Sequence, residues 1–247
     1  MSLTYQNISN EIDNIILNNF KIHPFSFGVT KRIIESILSQ YLAMSEAFPY
    51  LQAASQKKLI LNTIQNNKDI EKEIELTSVV GNFLCWDETG GHSTILKYGN
   101  KGLTKILDTE KNFHANMLKK DVKKILNKNI LPNYTNTIAS YLLNLLKGLK
   151  SLDHIERCAF MVSFENHVSI MIDSLCKSIV ELFKIDKDEL IYFKVHVGED
   201  DPAEVYHIEM TERMISEIVP ESRFDEFINK FMLSYKLHYD WCEVIKE

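Results

Sequence analysis

Along most of the chain the apolar positions recur at three- and four-residue intervals, the spacing of amphipathic helices rather than the alternation of strands. On that pattern helices are expected near 6–20, 29–46, 55–79, 101–127, 134–149, 152–184, 187–197, 202–219 and 222–244. Two connections carry specific signals. Asp87-Glu88-Thr89-Gly90-Gly91-His92 breaks a helix with adjacent glycines and leaves polar groups on the break. In the stretch 198–204, Asp201 suits a helix N-cap, Pro202 the first helical position and Glu204 the third, where a capping box places its acid. No internal repeat, low-complexity tract or Pro/Ser/Gly-rich linker divides the sequence, so one domain over 1–247 is expected.

Composition narrows the class. Only 8 Gly and 5 Pro among 247 residues leave too few turn-formers for a many-stranded sandwich or barrel. The balance of 28 Lys+Arg against 34 Asp+Glu, a net charge of −6 with no basic face, argues against nucleic acid as a main partner. The first residues lack the basic start and apolar stretch of a secretory signal, and no long uncharged apolar run suggests a membrane span. Cys85, Cys158, Cys176 and Cys242 form no CxxC and read as reduced thiols. The expectation is a soluble, cytoplasmic, all-α protein.

Polar residues on apolar faces mark candidate chemistry. Glu165 lies in the most apolar segment, 157–183, with Met161, Val162, Val168 and Ile172 as same-face neighbours. A carboxylate facing such a core costs several kcal/mol unless paired, protonated or metal-bound. The solvated stripe of that helix falls elsewhere, at Asp173, Lys177 and Glu181. A second group is His196, Asp200, Glu204 and His207. Glu204 and His207 stand three apart on one helix face, the Glu-x-x-His spacing of helical di-iron carboxylate proteins. His207 shares its face with Met210, Met214 and Ile215, and so points inward. Glu88 and His92 at the glycine break are a third contribution. His23, His114, His154, His167 and His238 are given ordinary core or surface roles, His114 being the least readily set aside. Imidazole and carboxylate donors without thiolate suit iron or manganese. Glu88, His92, Glu165, His196, Glu204 and His207, with Asp200 as a seventh, number enough for two metals with open positions.

These residues resemble a family. Glu165 on a long central helix, followed about thirty residues later by the cluster from His196 to His207, resembles the heme-oxygenase-like di-iron oxidases. That fold is shared with a bacterial protein named for associating with death domains, and with pyrroloquinoline-quinone-synthase and thiaminase-type proteins. The stretches Phe83–His92 and His196–His207 are most similar to a cyanobacterial-type branch that includes a nitrile-forming enzyme acting on halogenated tryptophan. The resemblance implies a heme-oxygenase-like bundle of about seven main helices without heme. It implies two Fe(II) held by Glu165, His196, Glu204, His207, His92 and Glu88, O₂ as co-substrate, and oxidation of an amino acid or derivative, tryptophan-like first. The sequence departs from the family's usual His-x-x-x-Asp-x-x-His, because position 203 is Ala203. Either Glu204 replaces the acid at a longer spacing, or Asp200 keeps it.

The implied partners are a small-molecule substrate, with an external electron donor and a homodimeric contact left open, and neither nucleic acid nor membrane. Phe83, Trp86, Tyr192 and Tyr206 are the aromatics placed to line a pocket. Two rivals remain. One is a metal-free enzyme on the same fold, a cofactorless oxidase or a thiaminase-like hydrolase using Cys158 or Cys176. The other is a non-catalytic helical module that binds a protein.

Overall fold

The computed structural model describes residues 5–197 and 203–247, and gives the backbone alone for Tyr5, Ala203 and Glu204. Among the described residues there is no strand. The helices are α1 (Tyr5–Asn19), α2 (Ile34–Gln65), α3 (Lys72–Glu88), α4 (Gly91–Tyr98), α5 (Thr109–Asn112), α6 (His114–Leu126), α7 (Asn136–Leu149), α8 (His154–Phe183), α9 (Ile191–Val197), α10 (Ala203–Ile218) and α11 (Phe224–Lys246). None of them is long and apolar enough to cross a membrane.

Helix α8 is the axis. From Met161 to His167 every side chain is buried, so the helix is enclosed on all sides there. It packs against α3, α7, α9, α10 and α11. The buried Arg157 of α8 ties it to α3: its guanidinium donates to Thr77 Oγ1 at 3.0 Å and to the carbonyls of Ser151 and Glu73 at 2.6 and 3.3 Å. Phe164 stacks on Phe48 of α2 with ring centres 4.1 Å apart. Burial of such rings supplies most of the driving force for this packing.

The helices depart from the sequence pattern in several places: α4 falls where none was expected, and the helix expected at 187–197 is a 3₁₀ turn followed by α9. Helices expected at 29–46 and 55–79 are instead α2 and α3, with α2 continuous through Pro49. Pro49 removes one helical hydrogen bond. Yet the buried positions Tyr41, Phe48, Gln52, Ser55 and Leu59 keep facing the bundle on both sides of it. The chain turns later, where Asn67 adopts a left-handed φ of 48°. The expected helix 101–127 splits into a 3₁₀ stretch (Asn100–Leu107), α5 and α6, because Phe113 is extended. His114 therefore becomes the first residue of a helix.

The remaining buried histidines form a separate group under α8. The backbone N–H of Phe25 donates to His23 Nδ1 at 3.1 Å, which leaves the proton on Nε2. That nitrogen lies 3.3 Å from His167 Nε2 and donates to it. His238 sits between Tyr141 Oη at 3.0 Å and Ser163 Oγ at 3.3 Å. His23, His167 and Cys242 lie close enough together to hold an ion, all buried. The proton on His23 Nε2 occupies the lone pair a metal would need, so the group is a hydrogen-bonded part of the core.

Candidate metal centre

The glycine break assembles the first side of the site. Gly90 caps α4 with φ 86°, a left-handed conformation that favours glycine. A β-carbon on it would stand 2.2 Å from the carbonyl oxygen of Asn112. The turn after α3 is thereby pressed onto the segment before α6, and Glu88 Oε2 reaches His114 Nδ1 at 3.5 Å. His196 of α9 closes on the same point. Its ring lies 4.7 Å from that of His114, near perpendicular, and Glu88, His114 and His196 place one donor atom each within 4.8 Å of one another. His196 Nδ1 is 2.7 Å from the Tyr192 carbonyl. A carbonyl only accepts, so Nδ1 carries the proton and Nε2 keeps its lone pair.

The second side is built on His207 of α10. Its Nε2 lies 2.9 Å from Asp87 Oδ2, and its Nδ1 lies 3.3 Å from Glu165 Oε2. His92, at the start of α4, approaches the other oxygen of Asp87 at 3.7 Å. Asp87, Glu165 and His207 are all buried. Glu165 Oε1 is buried with no hydrogen-bond partner among the described residues.

The electrostatics follow from this crowding. Burial pushes the Glu165 carboxyl above its ordinary pKa, and the nearby charges of Glu88 and Asp87 add to the rise against the opposing pull of His207. Burial acts the same way on Asp87. There the hydrogen bond to His207, with the charges of His207, His114 and His92, outweighs it and holds the pKa below the usual value. Glu88 is also lowered: its burial is overcome chiefly by His114, with His196 adding to the effect. Burial, then the charge of His114, brings His196 down to about 4, so that it is neutral and able to donate a lone pair.

The structure thus brings together Glu88, His92, Glu165, His196 and His207 of the expected donors. Asp200 lies outside the described residues, as do Asp201 and Pro202 of the expected cap, and of Glu204 only the helical backbone is described. Two members were not expected: Asp87, and His114, which sequence reasoning set among the ordinary histidines. All four aromatics named from the sequence stand against donor rings. Phe83 meets His207 edge-on at 5.6 Å, Trp86 and Tyr206 lie 6.4 and 6.0 Å from His92, and Tyr192 overlies His196 at 4.0 Å.

The helices form an all-α bundle with this buried set of candidate donors inside it. A crystal structure of a CADD-like protein of unknown function from Nostoc punctiforme PCC 73102 superposes on it with a TM-score of 0.65. It covers 98% of this chain and 96% of its own, at 11% sequence identity. No family model and no curated protein matches the sequence.

Proposed function

We propose that the chain is a non-heme di-iron, O₂-dependent oxidoreductase acting on a small molecule. The first substrate class is an amino acid or a derivative, tryptophan-like foremost and with nitrile formation among the outcomes. The observation that carries this reading is the convergence of four imidazoles and three carboxylates in one enclosed place, where Glu165 Oε1 has no hydrogen-bond partner among the described residues. Three close carboxylates repel one another, and a cation held among them would relieve that repulsion. Mixed nitrogen and oxygen donors without thiolate fit ferrous ions.

Glu88, His114 and His196, whose donor atoms lie within 4.8 Å of one another, would hold one ion. A second would draw on Asp87, His92, Glu165 and His207 once His207 exchanged one of its two carboxylate partners for the metal. A ferrous pair, when bound, supplies the reductive activation of O₂. The chain's own contribution is positional. The Tyr192 carbonyl fixes the His196 tautomer, and Asp87 orients His207 while His92 flanks it. Glu165, with its raised pKa, can hold a proton at Oε1 until a cation displaces it. Phe83, Trp86, Tyr192 and Tyr206 limit water around the donors, which strengthens every charge interaction inside.

The thiaminase-like rival finds little support. Burial pushes the thiols of Cys158 and Cys176 up to about 12 and about 11, so neither is a ready nucleophile at neutral pH.

The test is metal content after anaerobic Fe(II) loading of the wild type and of Glu165→Ala, His207→Ala and His114→Ala. Two irons per chain, lost in the variants while circular dichroism stays helical, is the expected result. A folded wild type that retains no iron would remove the reading.

A further inference from the structure

A cleft of about 610 Å³ opens beside the centre, within the size range of small-molecule sites. One wall is α2, through Glu46, Ala47 and Tyr50; the other is the excursion between α3 and α6, through Ile106, Leu107 and Thr109. Its lining also includes Thr89 and Phe113. These are the immediate neighbours of Glu88 and His114, so the cleft is one residue away from two candidate donors.

The cleft holds one charge of each sign. Glu46 and Lys119 form an ion pair there, and Tyr134 lines the cleft with them. Around the pair, Tyr50, Leu107 and Tyr134 leave large apolar surfaces exposed. With Lys119 exposed and Glu46 only partly buried, solvent screens the pair and it adds little to the fold.

A carboxylate and an ammonium held side by side match the two charges of an α-amino acid laid antiparallel to them. A zwitterion there keeps every charge next to its opposite. A simple acid or a simple amine would engage one member of the pair and leave the other uncompensated, which disfavours both. The aromatic and aliphatic walls would then take the side chain.

We infer that this cleft is the substrate site, and that it selects small zwitterions with apolar side chains, setting the ammonium on Glu46 and the carboxylate on Lys119. The inference deepens the di-iron reading and rests on it for the chemistry, although the binding itself needs only the cleft.

Calorimetric titration of the full-length protein, iron-loaded and iron-free, tests it. The probes are L-tryptophan and L-phenylalanine, each with the amine and the carboxylic acid that lack one of its charges. The wild type is expected to bind at least one amino acid about tenfold more tightly than either of its analogues. Lys119→Met should bring the amino acid down to the level of the amine, and Glu46→Gln down to that of the acid, with iron content unchanged in both. Absence of amino-acid binding, or equal selectivity in wild type and both variants, overturns the inference. Charge-selective binding by a chain that holds no iron would uphold the cleft while removing the di-iron reading, so the two failures are distinct.

Discussion

The carboxylate of Asp121 on α6 accepts the backbone N–H of Tyr192 on α9 at 2.7 Å. It also takes the N–H groups of Ile191 and Phe193, at 2.8 and 3.3 Å. These are donors at the start of a helix, which have no partner within the helix itself. One buried side chain thus caps α9 and locks it to α6. Since α6 begins at His114 and α9 carries His196, Asp121 sets the distance between two candidate donors without touching either.

Asp121→Ala is therefore expected to cost ~1–2 kcal/mol as a lost cap. Its larger effect should be on the centre, a weakening of iron binding by ~10–100-fold, the usual consequence of losing a group that orients ligands. Thermal melting and anaerobic Fe(II) titration measure the two separately. Unchanged iron affinity with a lowered melting temperature would show that α9 is placed by other contacts.

Gly90 and Gly28 both have positive φ, of 86° and 71°, but only Gly90 lies against another backbone. Gly28→Ala should cost ~1–2 kcal/mol of left-handed strain. Gly90→Ala should cost roughly 2–5 kcal/mol, strain and overpacking together, and should separate Glu88 from His114. Chemical denaturation with iron analysis of both variants gives the comparison. Equal losses would mean that the contact with Asn112 does not matter.

Several candidate donors are legible in the sequence as buried polar residues that interrupt an apolar stripe. Glu165 and His207 stood out in this way. Asp87 and His114, the two candidate donors that sequence reasoning did not name, carry the same signal. Val80, Leu84 and Asp87 fall on one face of α3, and all three are buried. His114 heads a buried stripe through Met117, Leu118, Asp121, Val122 and Ile125. His114 was obscured by reading 101–127 as a single helix, which placed it mid-helix with the wrong neighbours. Asp87 was overshadowed by the adjacent Glu88. α2 runs on through Pro49, which opposes a helix locally, because tertiary burial on either side overrides that preference. The convergence of α3, α6 and α9 depends on long-range packing, which periodicity along one strand of sequence does not encode.

The histidines under α8 predict an acid-sensitive fold. Burial holds His238 at about 3, and burial with the charge of Lys246 holds His23 at about 3. Burial, then the charges of His23 and His238, lowers His167 well below its ordinary value. Each is neutral when folded and takes a proton more readily when unfolded, near pH 6.5. The stability they confer is complete above that pH and is lost as pH falls toward about 3. The slope is ~1.4 kcal/mol per pH unit for each histidine. Denaturation curves from pH 7 to pH 4 should steepen accordingly, and His238→Gln should reduce the slope by about one proton. A slope unaltered by that change would contradict the assignment.

Burial raises the Cys85 thiol to about 11, as it does for Cys158 and Cys176 at about 12 and about 11. In the native protein at pH 8, roughly a thousandth or less of each is thiolate. Alkylation should be slow until denaturant is added, and Cys158→Ser and Cys176→Ser should keep whatever activity the wild type shows. Rapid native labelling of Cys158 with loss of activity would revive the nucleophilic-thiol enzyme.

The excursion from Thr89 to Phe113 starts directly after one candidate donor and ends directly before another. Were Glu88 and His114 to hold one ion, that segment would be clasped at both ends and would be no independent flap. Leu107, which walls the cleft, would then be tied to both candidate donors through its own segment of chain. Any effect of a ligand in the cleft on the cation affinity of the centre would be returned in equal measure, since coupling between two sites is reciprocal.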